Sequence, residues 1–237
     1  MESPYYLDSE KMEQTVMSAR RELMRNVYLW MTLALGITGV FSYVLAQSGT
    51  MLTWLYGHPG ALIFLAIAEL ALVILLTAKI QDLSFVGATL MFVLYSLLTG
   101  VTFSSIFIVY TQETITSTFL ITAGTFAAMA LLGSVTKKDL SGLGRFFLMA
   151  LIGLIIASIV NIFVANSQLD WIISIVGVVL FSALTAYDAQ KIQYMLNAYG
   201  NEVNDQSNKI ALLGSLTLYL DFINLFLHLL RLMGRRD

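Results

Sequence analysis

The chain has no cysteine and little charge. Of its 237 residues only 12% are Asp, Glu, Lys or Arg, about half the share typical of a soluble domain, while 58% are hydrophobic. Without cysteine there is no disulfide, no thiolate ligand for zinc and no cysteine nucleophile. Two histidines, His58 and His228, cannot build a histidine metal cluster. Positive charge is not in surplus either. The formal net charge is -2, and phosphate backbones are bound by clustered basic surface, so nucleic acid is not an expected partner. A surface made from this composition would not stay in water. The expected solvent is a lipid bilayer, and the length leaves no room for a second, soluble domain.

What is present is a series of apolar runs: Asn26–Ala46, Ala61–Ile80, Leu83–Val109, Ile115–Val135, Phe146–Ala165, Trp171–Ala189 and Ile210–Leu232. Each is near or above the roughly 20 residues that cross hydrocarbon as a helix. Helix is required because lipid offers backbone amides no partner outside their own segment. The expected fold is therefore all-α and integral to a membrane, with seven transmembrane helices in residues 26–237, preceded by a cytoplasmic or interfacial segment at 1–25. The first run has no small-residue cleavage site after it and is read as a retained span. Ahead of it Met12, Val16, Ala19 and Leu23 recur at helical spacing among Lys11, Arg20, Arg21 and Arg25, as in a helix lying on the membrane surface; a solvated tail is the alternative.

Basic residues set the orientation. Ten of the thirteen lie in the N-terminal segment or in the second, fourth and sixth connections, which places the N-terminus in the cytoplasm. Arg231, Arg235 and Arg236 then fall on the opposite side; either the last run is a re-entrant or unusual segment or, the favoured reading, upstream charges already fix the orientation. The short chain without targeting or retention signals points to a bacterial inner membrane.

Ionisable groups at membrane depth cost several kcal/mol and each needs a reason. Three stand out: Glu69 in the second span, Asp188 toward the cytoplasmic end of the sixth and Asp221 in the middle of the seventh. Around Asp221, the residues Gly214, Thr217, Asn224, His228 and Arg231 follow at steps of three or four, on one helix face that cannot meet lipid. Ser182, Thr185 and Asp188 form a shorter stripe on the sixth span. Such groups are either hydrogen-bonding links between helices or the lining of an ion path. Glu69 reads as structural, since Lys79, about three turns away, offers it no partner. His228 reads as a hydrogen-bonded interior residue, and Lys191 as a side chain reaching back to the interface.

The segments FSALTAYDAQKI at Phe181–Ile192 and LYLDFINLFLHLLRLMG at Leu218–Gly234 resemble the two most characteristic segments of the transmembrane Bax inhibitor motif family. The likeness extends to KKDLS at Lys137–Ser141 and to Glu69. It implies a seven-helix fold whose last helix is central and enclosed by the other six, a pH-sensitive calcium leak, and a closely spaced pair formed by Asp188 and Asp221. Ca2+ is then the transported ion rather than a bound cofactor. Thr185, Thr217, Asn224, His228 and Glu69 are supporting residues. Some relatives carry an arginine cluster at the end of the second helix, where only Lys79 stands here.

Physical chemistry makes such a pair sensible. Two carboxyl groups in a partly dry site cannot both ionise cheaply and hold one proton between them. A short hydrogen bond through that proton would tie the sixth helix to the seventh, and losing it would leave two repelling groups with hard oxygen donors suited to Ca2+. Opening would follow rising cytoplasmic pH. The geometry sets a condition: the sixth helix must run past Lys191 toward Tyr199, with Gly200 as its stop, or the two acids would miss by about 10 Å at 1.5 Å per residue.

Two other functions compete. The Tyr187-Asp188 dipeptide is shared with intramembrane aspartyl proteases, but Asp221 lies in Tyr-Leu-Asp-Phe without the glycines that bring backbone near a substrate, and Ser134 with Lys137 has only the spacing of a serine-lysine pair. The chain is expected not to be an enzyme. The resemblance also suggests a regulatory protein that binds other membrane proteins in stress or cell-survival control.

Overall fold

The computed structural model describes residues 4–234, so Arg235 and Arg236, and the first three residues of the 1–25 segment, lie outside it. Every regular element among the described residues is helical: α1 (Pro4–Ala46), α2 (Gly49–Gly57), α3 (Pro59–Lys79), α4 (Phe85–Phe103), α5 (Ile106–Val109), α6 (Gln112–Val135), α7 (Gly144–Val164), α8 (Ser167–Tyr199) and α9 (Asp205–Met233). Among the described residues seven helical stretches are long and apolar enough to cross a bilayer, with α4 and α5 together making one of them.

The boundaries follow from local chemistry. Ser84 caps α4 by accepting the Gly87 N–H at 3.1 Å, and Thr111 caps α6 through Thr114 N–H at 3.2 Å. Asn166 accepts the N–H groups of Gln168 and Leu169 to start α8. At α9 the cap is reciprocal: Ser207 N–H donates to Asn204 Oδ1 at 3.0 Å while Asn204 N–H donates to Ser207 Oγ at 2.9 Å. The third span breaks after Phe103, where the Ser104 and Ser105 hydroxyls turn back to the carbonyls of Val101 and Thr102. α1 differs most from the sequence reading. The helix passes from residue 25 into the first span without interruption, and Ala19, Leu23 and Val27 are buried along one face while Met12 is exposed. The sixth span meets its condition: α8 continues to Tyr199, and the Gly200 N–H closes on the Leu196 carbonyl at 2.8 Å.

The chain divides into two compact units, the first running to Ser105 and including Ile192–Leu216, the second comprising Ile106–Lys191 and the chain from Thr217 onward. Both α8 and α9 therefore contribute to each. In the first unit α1 packs along α4 and α4 against α3, with the Thr38 hydroxyl donating to the Ser96 carbonyl in the buried seam at 2.9 Å. Lys209 at the start of α9 donates to the carbonyls of Gln81 and Leu83, fixing the α3–α4 connection. The outer faces are bare hydrocarbon: Ile63, Phe64 and Ile67 on α3 are exposed, as are Ile162 and Phe163 on α7 in the second unit. α9 is the opposite case. In its most apolar window 67% of residues are buried, against 6% in α3 and 11% in α7; along its polar stripe Asp221 and His228 are buried, Thr217 and Asn224 half-buried and Arg231 exposed.

Within the second unit α8 is held by backbone contact and by one side chain. Gly133 of α6 lies directly on the Ala186 carbonyl, leaving no space for any side chain. Four residues on, the buried Gln190 clamps the α6–α7 connection: its Oε1 accepts the Leu140 N–H at 2.8 Å, and its Nε2 donates to the carbonyls of Lys138 at 3.0 Å and Thr136 at 3.2 Å. The same loop closes on itself where Asp139 Oδ1 accepts the Ser141 N–H at 2.8 Å, a bond that holds this exposed carboxyl below its ordinary range. Gln190→Ala is expected to destabilise the protein by about 1–3 kcal/mol, because buried loop groups lose their partners. Gly133→Val is expected to cost a similar amount, about 1–3 kcal/mol, through overpacking. Reversible unfolding in mixed detergent micelles measures both, with the exposed Lys138→Ala as the neutral control.

Candidate functional site

Asp188 and Asp221 meet. Both lie in the second unit, they share a side-chain hydrogen bond, and their exposures are 8% and 5%. A bond between two carboxyl groups needs a proton on one of them, since an ionised carboxylate can only accept. Asp221 Oδ2 is buried and receives no bond from a hydroxyl or N–H donor among the described residues.

Both acids border a cavity of about 550 Å³ between α7, α8 and α9. One wall is the stripe foreseen on α9, because Thr217, Asp221, Asn224, His228 and Arg231 all line it. Asp188 and Phe181 come from α8, and α7 supplies an apolar wall with Ser158 as its hydroxyl. Asn224 donates to the Leu220 carbonyl of its own helix at 2.8 Å. His228, 8% exposed, stacks on Phe181 with ring centroids 5.6 Å apart, and its Nδ1 is buried without a partner among the described residues. Its ring presses on Gly177 of α8, where any side chain would collide with it. The charges acting on this imidazole are Arg231 and Asp170. An unsatisfied polar atom on a cavity this size is a natural place for water.

The other candidates separate from this group. Thr185 is fully buried but spends its hydroxyl on the Phe181 carbonyl at 2.7 Å and is not part of the cavity wall. Glu69 belongs to the first unit, where its Oε1 accepts the Thr102 hydroxyl at 2.6 Å. Lys79 pairs with Asp82 at 3.3 Å with both side chains well exposed, a contact that stabilises little. Lys191, one turn past Asp188, sits over the Tyr187 ring at 5.9 Å from its centroid.

Sequence reasoning missed Gln190, Gly133 and Gly177, which place Asp188 and His228. The only hint was that Gln190 and the KKDLS connection both fall in the segments carrying the family resemblance. Among the described residues no three His, Asp or Glu side chains gather as a metal-binding set. What the site offers is two carboxyl groups on neighbouring helices beside a space with further oxygen and nitrogen groups.

Comparison with known proteins identifies the family. The family model described as "Inhibitor of apoptosis-promoting Bax1" matches residues 20–237. The chain is 49% identical over 213 residues to the inner membrane protein YbhL of Escherichia coli K12, covering 90% of this chain and 91% of that protein. It is 41% identical over 230 residues to an uncharacterized protein of Borreliella burgdorferi, covering 97% of each. A protein of Deinococcus radiodurans is 40% identical over 225 residues, covering 95% of each. With the seven spans and the matched segments on both carboxyl-bearing helices, the chain belongs to the Bax inhibitor-1-like family of membrane proteins.

Proposed function

We propose that the chain is a pH-sensitive leak for Ca2+ across a bacterial inner membrane, gated by the proton that Asp188 and Asp221 share. The observation that carries this reading is the hydrogen-bonded carboxyl pair at the edge of the α7–α8–α9 cavity. With the proton in place, the bond joins α8 to α9. Without it, two like charges repel across a short distance, and their oxygens become ligands for a hard divalent cation. Ca2+ takes about six to eight oxygens, so water, Asn224 and Thr217 complete a transient shell rather than a resident site. The ion is cargo. No chemical step is assigned to the chain, and the pair serves gating rather than peptide hydrolysis.

The membrane is that of the Escherichia coli relative, whose name places it in the inner membrane. The bias of basic residues puts the N-terminus in the cytoplasm. Because the chain has no cysteine, single introduced cysteines report this cleanly. Glu13→Cys is expected to react with an impermeant maleimide in inverted vesicles only, and Gln168→Cys in right-side-out vesicles only; the reverse pattern overturns the orientation.

Purified protein in liposomes loaded with a calcium dye is expected to admit Ca2+ faster as pH rises. Release of one proton limits the steepness to about tenfold per pH unit. Folded protein that leaves such vesicles tight at every pH would instead favour a role in binding other membrane proteins, as in stress or cell-survival control.

The Asn variants separate gate from path. A carboxamide donates a hydrogen bond at any pH, so Asp221→Asn is expected to hold the leak at its acid-side rate into the alkaline range. The double variant Asp188→Asn, Asp221→Asn is expected to lose the pH response altogether. A wild-type pH profile in either variant would place the titrating group elsewhere.

A further inference from the structure

In the first unit, α1 and the C-terminal turns of α8 enclose a smaller pocket of about 220 Å³. Arg20 and Arg21 line it from α1, Gln193 and Asn197 from α8 one turn apart, and Met17 and Met24 form its apolar rim. No carboxylate is among its lining residues. Glu22, the acid nearest in sequence, turns to Arg25 at 3.8 Å. The pocket thus gathers two permanent positive charges in a chain with thirteen basic residues, together with two side-chain amides.

Arg20 supplies the independent sign of a ligand. Its Nη2 donates to Asn201 Oδ1 at 2.9 Å, which fixes the guanidinium, but its Nε–H is buried with no acceptor among the described residues. An unmatched charged donor of this kind is costly, and only an added acceptor, best an anion, removes the cost. Its depth indicates which anion. Arg20 precedes the apolar run that begins at Asn26 by six residues, about 9 Å of helix at 1.5 Å per residue, the level of the headgroups beside the hydrocarbon.

We propose that this pocket binds the phosphate of an anionic phospholipid, with Arg20 and Arg21 on the phosphate oxygens, Gln193 and Asn197 on the ester or glycerol oxygens, and Met17 and Met24 against the start of the acyl chains. Guanidinium groups suit phosphate by their planar fork of donors, and basic pockets between helices on the cytoplasmic side are a known form of headgroup recognition. The ligand would link α1 to the end of α8, and the proposal is independent of the leak and of the acid pair.

Native mass spectrometry of the full chain in detergent, with added phosphatidylglycerol, phosphatidylcholine or inorganic phosphate, tests it. Phosphatidylglycerol is expected to be retained in preference to phosphatidylcholine and to resist millimolar phosphate. Binding is expected to weaken about fivefold for each arginine charge removed, in Arg21→Gln and further in Arg20→Gln. Arg21 is exposed, so its substitution leaves the fold intact and remains decisive if Arg20→Gln does not fold. Equal retention of the two lipids, or unchanged retention in Arg21→Gln, would overturn the proposal. Displacement by inorganic phosphate would also overturn it and make the pocket a site for free anions.

Discussion

Hydrocarbon gives a carboxyl group no partner, so every acid at membrane depth has to find one within the protein. α9 carries Asp221 in a column with Thr217, Asn224 and His228, and the helix is accordingly the most buried of the spans. Its acid is matched by another acid, Asp188, a solution that works only while one proton stays between them. In the proposed function, the contact between α8 and α9 depends on that proton. On the same cavity wall the Nδ1 of His228 is buried without a partner among the described residues, a place where water can bind.

The first unit answers the same demand differently. Glu69 takes a hydroxyl from Thr102, a donor that keeps its hydrogen at any pH. Burial of an acid is thus not by itself a mark of function. What distinguishes the Asp pair is that the donor is itself titratable and that the contact borders a cavity of about 550 Å³.

The groups that place the acid pair are not themselves ionisable. Asp188 owes its position to the backbone contact of Gly133 with Ala186 and to the Gln190 clamp on the α6–α7 connection, none of which titrates. His228 is set by Gly177 and Phe181. Helices packed through glycine approach closely and have few alternative positions, so the pair is held in a nearly fixed frame.

The spans, their number and the polar face of α9 were legible in the chain because each is a property of one segment: backbone groups in lipid must bond within the helix, and a polar stripe at three- and four-residue steps can only be one face. The run of α8 to Tyr199 was legible as a condition, since Gly200 marks its stop. The unbroken α1 and the break at Ser104 and Ser105 were not, because an interfacial helix and a span have the same backbone periodicity, and a serine pair bends a helix only where its hydroxyls turn back to the carbonyls. Sequence alone thus determined which residues had to avoid lipid. Tertiary structure decided what they met instead: Glu69 with Thr102, Gln190 with a loop fifty residues away, Thr185 with its own helix; the pairing of Asp221 with Asp188 was expected only through the family resemblance. Those choices depend on the register between helices, which is set by shape across an interface and leaves no period in the chain.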